Sequence, residues 1–439
     1  MLTVGHAGQS YGDRMSGSHF LGDDPNGTPT ERRAPPSPHL LYIGGEDHHL
    51  RIPAMLALRD RGFRLTAAGT GDPAPFVQAD IDYRRFHFER FISPLADWTA
   101  VKSIAKILVD VRPDLAQSFD TKPSLFLPLA ARRTPGIRVI RTINGLAFLY
   151  SSRSPIALML RPIHRTLHRF AARSTAMTVF QNRDDQSFFE RQAMIGGGLS
   201  RLIPGSGIDV GKFERAAAAG PSPASIRRML GLENCEIVIT VTRLTRQKGI
   251  PALLEAAALV HKVRPTVRFL LVGPRESEGP LAVTQEQIDR HAPYVVAIGP
   301  RSDIPSLLKA SDIFAFPTEY REGVPRALLE AALAELPIVA TRMPGCNDVV
   351  CDGWNGFLVP PRAPRLLAAK IIDLLDDRAA ARTMAVRASD LVRQEFGLDL
   401  TIARYVAAYN ELLDEPIRSE IREGKTVLDA DSLLRKKAS

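Results

Sequence analysis

The chain has 439 residues but only three cysteines, Cys235, Cys346 and Cys351. Three thiols form neither an even-numbered disulfide framework nor a zinc-ligand pattern, so free thiols in a reducing cytoplasm are the expectation. The adjacent pair His48-His49 lacks partners at metal-ligand spacing and is expected at the surface or at the edge of a binding site. No apolar run reaches the roughly 18 residues that span a bilayer. Residues 1–38 lack the apolar core of a signal peptide; rich in Gly, Pro, Ser and charge, they are expected to be disordered. No long Lys/Arg block interleaves with aromatics, which argues against nucleic acid as a partner. What the chain does carry is a net charge of +9. That balance favours phosphorylated ligands and an anionic membrane face.

At this length two domains are expected, and an apolar content of 45% suffices for a core in each. Short apolar runs alternate with helical patterns in both halves. In the first half LLYIG (41–45), FRLTAAG (63–69), LAQSF (115–119), IRVIRTI (137–143) and AMTVFQN (176–182) read as strands. In the second half EIVITVTRL (236–244), VRFLLVG (267–273), VVAIG (295–299), IFAFP (313–317), PIVAT (337–341) and FLVPP (357–361) do the same. Such alternation predicts parallel sheets with helices on both faces, hence an α/β chain of two doubly wound, Rossmann-like domains facing across a cleft, with function at the strand C-termini. The expected bounds are 39–205 and 206–396, with a Gly-rich linker near 200–213. A helix at 397–417 follows, with Ile402, Tyr405, Val406, Tyr409, Leu412 and Leu413 on one face. A charged tail at 418–439 is expected to be disordered.

Two stretches carry chemistry. VTRLTRQKG (241–249) sets Arg243 and Lys248 just beyond a strand, where two fixed cations can neutralise a diphosphate. Alone, the pattern also fits two solvated side chains. REGVPRALLE (321–330) follows the strand IFAFP; Pro325 suits the first helical position. The amides of about 326–328 would then be unpaired helix-start donors able to hold phosphate. Glu322 precedes this helix and Glu330 lies inside it, so the two carboxylates do not share a face and can grip two ends of an extended ligand. The plainer alternative is a favourable N-terminal acid and a solvated one. In the first half Gly44-Gly45 allows close backbone approach. Asn144-Gly145 ends a strand as an ordinary turn or as a sugar-facing one, and Lys122 is either solvated or a candidate for an acceptor phosphate.

The order TRLTRQKGI, FLLVG, IGPRSDIPSLLKASDIFAFPTEYREGVPRALLEAALAELPIVATRMPGCNDVV and DGWNGFLVP, over 236–360, resembles the retaining GT-B glycosyltransferases grouped as family 4. The two glutamates match that family's E-x7-E motif. More loosely, LAQSFDTKPSLFLPLAARRTPGIRVIRTINGLAF and VFQNRDDQSFF resemble the subgroup that extends lipid-diphosphate-linked sugars in bacterial polysaccharide or glycan assembly. The resemblance implies that Arg243 and Lys248 bind the donor diphosphate and stabilise the leaving group. It implies that Glu322 holds the donor sugar with backbone help from Gly323 and Val324, and that Glu330 binds the ribose. Gly45, Lys122, Asn144 and Gly145 fall on the acceptor side. It implies no cofactor and no metal, a nucleotide-sugar donor, UDP-linked, a polyprenyl-diphosphate saccharide acceptor, and a 397–417 helix that crosses back to the first domain. Many relatives place histidine where this chain has Asn144, so a histidine-based acceptor role is not expected there.

Three other readings compete. A nucleotide-sugar epimerase shares the two-domain architecture. A non-catalytic nucleotide-sugar-binding subunit would keep the fold. A metal-dependent transferase would need an Asp-x-Asp site, for which Asp80/Asp82 and Asp429/Asp431 are the candidates. The segment 154–173 is a basic amphipathic helix with Ile156, Met159, Leu160, Ile163, Leu167 and Phe170 on one stripe. It either packs on its own sheet or lies on an anionic bilayer; the second option predicts a peripheral protein on the inner face of the cytoplasmic membrane.

Overall fold

A computed structural model describes residues 37–89, 93–151 and 154–414. Residues 1–36 of the expected 1–38 extension, the last residues of the expected 397–417 helix and the whole expected 418–439 tail, with Asp429/Asp431, lie outside the described residues.

The first sheet contains β1 (His39–Ile43), β2 (Arg64–Gly69), β3 (Asp82–Arg85), β4 (Leu115–Ser118), β5 (Arg138–Ile143), β6 (Met177–Phe180) and β7 (Leu199–Leu202). The second contains β8 (Glu236–Val241), β9 (Val267–Val272), β10 (Val295–Ala297), β11 (Ile313–Phe316), β12 (Ile338–Thr341) and β13 (Phe357–Val359). Their orders are β3-β2-β1-β4-β5-β6-β7 and β10-β9-β8-β11-β12-β13, and every pairing is parallel. Central strands such as β8 and β11 are apolar at nearly every position because helices cover both faces. Each sheet reverses its winding once, between β1 and β4 and between β8 and β11. Those two switch points are where such sheets open crevices at strand C-termini.

The edge strands β3 (DYRR) and β7 (LSRL) are absent from the sequence-based expectation. Each has four residues and no fully buried position, so no apolar run betrays it. β7 occupies the start of the segment expected to be linker. Helices Val210–Ala219 and Pro223–Leu230 then precede β8.

Helix Leu398–Asp414 follows the second sheet yet packs on the first. Ile402, Tyr405, Tyr409 and Leu412 share a core with Leu40, Tyr42 and Phe63. The Tyr409 hydroxyl meets that of Tyr42 at 2.7 Å and donates to Gln117 Oε1. A cluster of buried, satisfied hydroxyls fixes the helix in one register, since a slip would strand them without partners.

Helix Pro155–Ala172 turns the opposite face inward from the one its size pattern suggests. Its buried residues are Ala157, His168, Ala171 and Ala172. The large apolar stripe is exposed instead, with Met159 at 75% and Ile156, Ile163 and Leu167 beside it. On that inward face His168 accepts from Arg141, which is fully buried in β5, through both its ring and its carbonyl.

Candidate active site

At the second switch point the loop after β8 makes a short 3₁₀ turn, Arg246–Lys248, before helix Ile250–Val263. This turn buries Lys248. Its Nζ lies 2.7 Å from Glu322 Oε1, which also accepts from Thr318 Oγ1 at 3.0 Å. The ammonium stands over the rings of Tyr320 and Phe316, at 5.5 and 5.9 Å from their centroids. A charge pair with this little water around it holds its geometry more firmly than a surface pair does. Arg243 is more open and pairs with Glu278 at 3.1 Å. Thus the two cations expected on a diphosphate each hold a carboxylate in this structure.

Pro325 is the N-cap of helix Arg326–Leu333, with φ −66° and ψ 118°, rather than its first helical residue. The missing N–H is tolerated equally well there. The Leu328 amide makes the first bond back, to Pro325 O at 3.1 Å. The amides of Arg326 and Ala327 precede that bond and carry the positive end of the helix dipole. Glu322 sits before the helix. Glu330 sits within it and accepts from Arg326 Nε at 2.9 Å, an i,i+4 pair.

The Arg321–Gly323 segment runs between two glycines that no other residue could replace without movement. A Cβ on Gly345 (φ +83°) would fall 1.6 Å from Gly323 O. A Cβ on Gly145 (φ +119°) would fall 2.7 Å from Arg321 O. Gly345 belongs to the second sheet's side and Gly145 to the first, so the backbone next to Glu322 is touched from both domains.

At the first switch point Asp120 gathers the strand ends. Its Oδ2 accepts from Gly45 N at 2.9 Å, and its Oδ1 from Asn144 Nδ2 at 3.0 Å and Arg51 Nη2 at 3.3 Å. Gly45, Asn144 and Gly145 therefore come together. Lys122 is paired with Asp97 at 2.5 Å, beside helix Pro94–Val111. The expectation that His48 lies at the surface is wrong. It is buried between Phe76 and Phe119, and burial pushes its pKa down to about 3. His49 is exposed. Asp80 and Asp82 sit at the β3 edge, where Asp82 pairs with Arg84 at 3.0 Å. Among the described residues no group of three metal-ligating side chains assembles.

Behind Asn144 a cavity of about 10 Å³ is lined by Asp120, Asn144, Gly145, His164 and His168. Its histidines belong to a directional chain. Arg141, with no carboxylate partner among the described residues, faces His168 Nδ1 at 3.2 Å. A guanidinium only donates, so His168 holds its proton on Nε2 and directs it to His164 Nε2 at 3.1 Å. His164 then directs its Nδ1 proton to Tyr150 Oη at 3.3 Å. Burial depresses both pKa values, that of His164 to about 4, which keeps both rings neutral as this arrangement requires.

Sequence reasoning missed Thr318, Asp120, Asn182, Asp185 and Arg321. Only Asn182 carried a local signal. The pattern Asn182-x-x-Asp185 after an apolar run is an N-terminal capping pattern.

Two parallel sheets of seven and six strands, with their switch points meeting at one loop, define a GT-B architecture. Residues 53–192 match the family described as glycosyl transferase 4-like domain, and residues 235–377 match glycosyl transferases group 1. Among solved structures, Anabaena Alr3699/HepE in complex with UDP superposes with a TM-score of 0.66 at 23% identity, covering 85% of this chain and 99% of that one. Sucrose-phosphate synthase of Thermosynechococcus elongatus reaches 0.69 at 18% identity, covering 86% and 99%. Among characterised relatives, one is the N,N'-diacetylbacillosaminyl-diphospho-undecaprenol alpha-1,3-N-acetylgalactosaminyltransferase of Campylobacter jejuni. It is 24% identical over 377 residues, which cover 85% of this chain and 98% of that protein. Another is the UDP-Gal:alpha-D-GlcNAc-diphosphoundecaprenol alpha-1,3-galactosyltransferase of Escherichia coli. It is 29% identical over 273 residues, 62% of this chain and 68% of that protein. The chain belongs to the GT-B glycosyltransferases, with a 4-like first domain and a group 1 second domain.

Proposed function

We propose that this glycosyltransferase moves a hexose or N-acetylhexosamine from a UDP-sugar to a polyprenyl-diphosphate-linked saccharide, with retention at the anomeric carbon and without a metal. The observation that carries the reading is the buried Lys248–Glu322 pair at the β8/β11 switch point, beside the open helix start at Arg326. Two relatives whose names specify undecaprenyl-diphosphate-linked acceptors, and a neighbour solved with UDP, support the substrate classes.

In this reading Arg243 and Lys248 exchange their carboxylate partners for the donor diphosphate, and Glu330 takes the ribose hydroxyls. Glu322, with the backbone of Gly323 and Val324, holds the donor sugar. The bond from the sugar anomeric carbon to the diphosphate oxygen breaks. The acceptor hydroxyl oxygen bonds to the same carbon from the same face, and its proton passes to the departing diphosphate. Negative charge grows on that leaving group, so fixed cations and helix-start amides stabilise the transition state more than the ground state. Gly45, Lys122, Asn144 and Gly145 line the acceptor approach.

The exposed stripe of helix Pro155–Ala172 supports a membrane-bound acceptor. Helix Pro123–Ala131 packs against both this helix and Pro94–Val111, whose Leu95 and Trp98 are also exposed. The exposed Arg169 and Arg173 on the same helix suit an anionic leaflet, at about 1 kcal/mol per basic residue. Among the described residues no helix is long and apolar enough to cross a membrane, so attachment in this reading is by this face.

Incubation of the protein with a UDP-sugar panel and a short-chain polyprenyl-diphosphate saccharide, with and without chelator, tests the proposal. A glycosylated lipid of retained configuration, formed at equal rate with EDTA, is expected. Interconversion of the free UDP-sugar without acceptor would overturn it in favour of an epimerase.

A further inference from the structure

Glu322 is held by two domains at once. Its side chain is fixed within the second, by Lys248 and Thr318. Its backbone is fixed from the first. Helix Arg183–Arg191 begins directly after β6, and its N-cap Asn182 accepts from Asp185 N at 2.7 Å through Oδ1. That leaves the Asn182 Nδ2 group to donate twice, to Asp185 Oδ2 at 2.8 Å and to Glu322 O at 2.9 Å. The other Asp185 oxygen accepts from Arg321 Nη2 at 2.8 Å, and the Asp185 side chain is fully buried there. Arg321 N donates to Ser151 Oγ at 2.9 Å. The peptide groups on both sides of residues 321 and 322 are therefore anchored on the first domain, as is the Arg321 side chain.

The same helix start makes two more bonds to the second domain. Arg183 N donates to Asp348 Oδ1 at 3.2 Å, and Asn347 Nδ2 donates to Asp184 Oδ2 at 3.1 Å. A helix whose own capping needs only one side-chain bond thus spends Asn182, Asp184 and Asp185 on the neighbouring domain. Burial pushes the Asp185 carboxyl above its ordinary range even with Arg321 and Asn182 pulling it down. A buried acid of this kind is costly unless its partner is in place. When the domains part, Asp185 loses Arg321 and Glu322 loses its carbonyl anchor together.

We propose that Asn182 and Asp185 are positioning residues lent by the first domain to the donor site: by gripping Arg321 and the Glu322 carbonyl they set the Glu322 carboxylate only when the two domains are closed. The inference rests on the reading of Glu322 as the residue that faces the donor sugar. It supplies a reason for the enzyme not to spend donor in the open state, because the domain that receives the acceptor completes the donor site.

The test is a double-mutant cycle on the full chain with Asp185→Asn, Arg321→Met and both together. Transfer kinetics, UDP affinity by calorimetry, and hydrogen exchange of residues 318–324 with UDP present are all measured. Each single variant is expected to lower kcat about 10–100-fold with UDP affinity within about threefold, and the double variant to be no slower than the worse single. Exchange at 318–324 is expected to quicken in all three, and Arg321→Lys, which keeps the charge, to recover part of kcat. Independent, multiplying effects on kcat, UDP affinity falling in step with kcat, or unchanged exchange would each overturn the proposal. Glu322→Gln, assayed alongside, separates the two readings. Full turnover in that variant removes the role assigned to Glu322, while the exchange data still report whether Asp185 and Arg321 hold the loop.

Discussion

Acid should unfold this protein early, and three histidines set the size of the effect. His48, His164 and His168 have pKa values depressed first of all by burial: to about 3 for His48, to about 4 for His164, and well below 6.5 for His168. In the unfolded chain each titrates near 6.5. Below that pH the unfolded chain takes up protons that the fold refuses, so stability is full above pH 6.5 and falls as pH drops. At pH 5, 1.5 pH units below the unfolded value, His48 and His164 each cost about 2 kcal/mol, about 4 kcal/mol together, and His168 adds to the loss in the same direction. Asp185 and Asp348, raised by burial, work in the opposite sense, and only as pH approaches the carboxylate range. Against a typical total of about 5–15 kcal/mol the loss is large. Urea unfolding at pH 7.5, 6.5, 5.5 and 5.0 measures it. His48→Leu, which replaces a ring packed between Phe76 and Phe119 with an apolar side chain, should reduce the acid loss by about 2 kcal/mol. A parent protein equally stable at pH 7.5 and 5, or a His48→Leu variant with the parental slope, would refute the assignment of these histidines.

If Lys248 faces the leaving group as proposed, Lys248→Ala should lower kcat by about 10²–10³-fold; steady-state transfer assays with a matched thermal melt check it. Gly145→Ala places a Cβ 2.7 Å from Arg321 O, so it should reduce turnover by prying the domains apart while shifting the melting temperature only slightly. Tyr409→Phe strands the buried Tyr42 hydroxyl and removes one partner of Gln117, and should cost about 1–3 kcal/mol of stability by urea titration, without a specific change in KM. Met159→Asp with Ile163→Asp should reduce co-sedimentation with anionic liposomes at low salt while leaving transfer to a water-soluble acceptor analogue unchanged.

The central strands were legible because burial on both faces makes them continuous apolar runs, as EIVITV and IFAF show. β3 and β7 were not, since an edge strand needs only one buried face and these two have four residues each. The direction of helix Pro155–Ala172 was ambiguous for a physical reason: periodicity finds a stripe but not which side of the helix the protein covers. The buried Arg141, which bonds His168 on the covered face, lies fourteen residues before the helix begins. Within the site, the strand-end positions of Arg243, Lys248, Glu322 and Asn144 followed from local pattern. Their pairings did not. Lys248–Glu322, Arg321–Asp185 and Lys122–Asp97 join residues 25 to 136 positions apart, and nothing local in the sequence encodes such a choice. His48 was misplaced because an adjacent histidine pair looks polar, while the 3₁₀ turn at Glu46–Arg51 sends one ring into the core and the other to solvent.

The most direct test of the account is a transfer assay on Glu322→Gln and the parent, with UDP-sugar and a polyprenyl-diphosphate saccharide, reading product by mass and anomeric configuration by NMR. A single sugar added with retention by the parent is expected, with a loss of about 10²–10³-fold in kcat for the variant and UDP affinity little changed. Undiminished transfer by Glu322→Gln, or an inverted product from the parent, would contradict it.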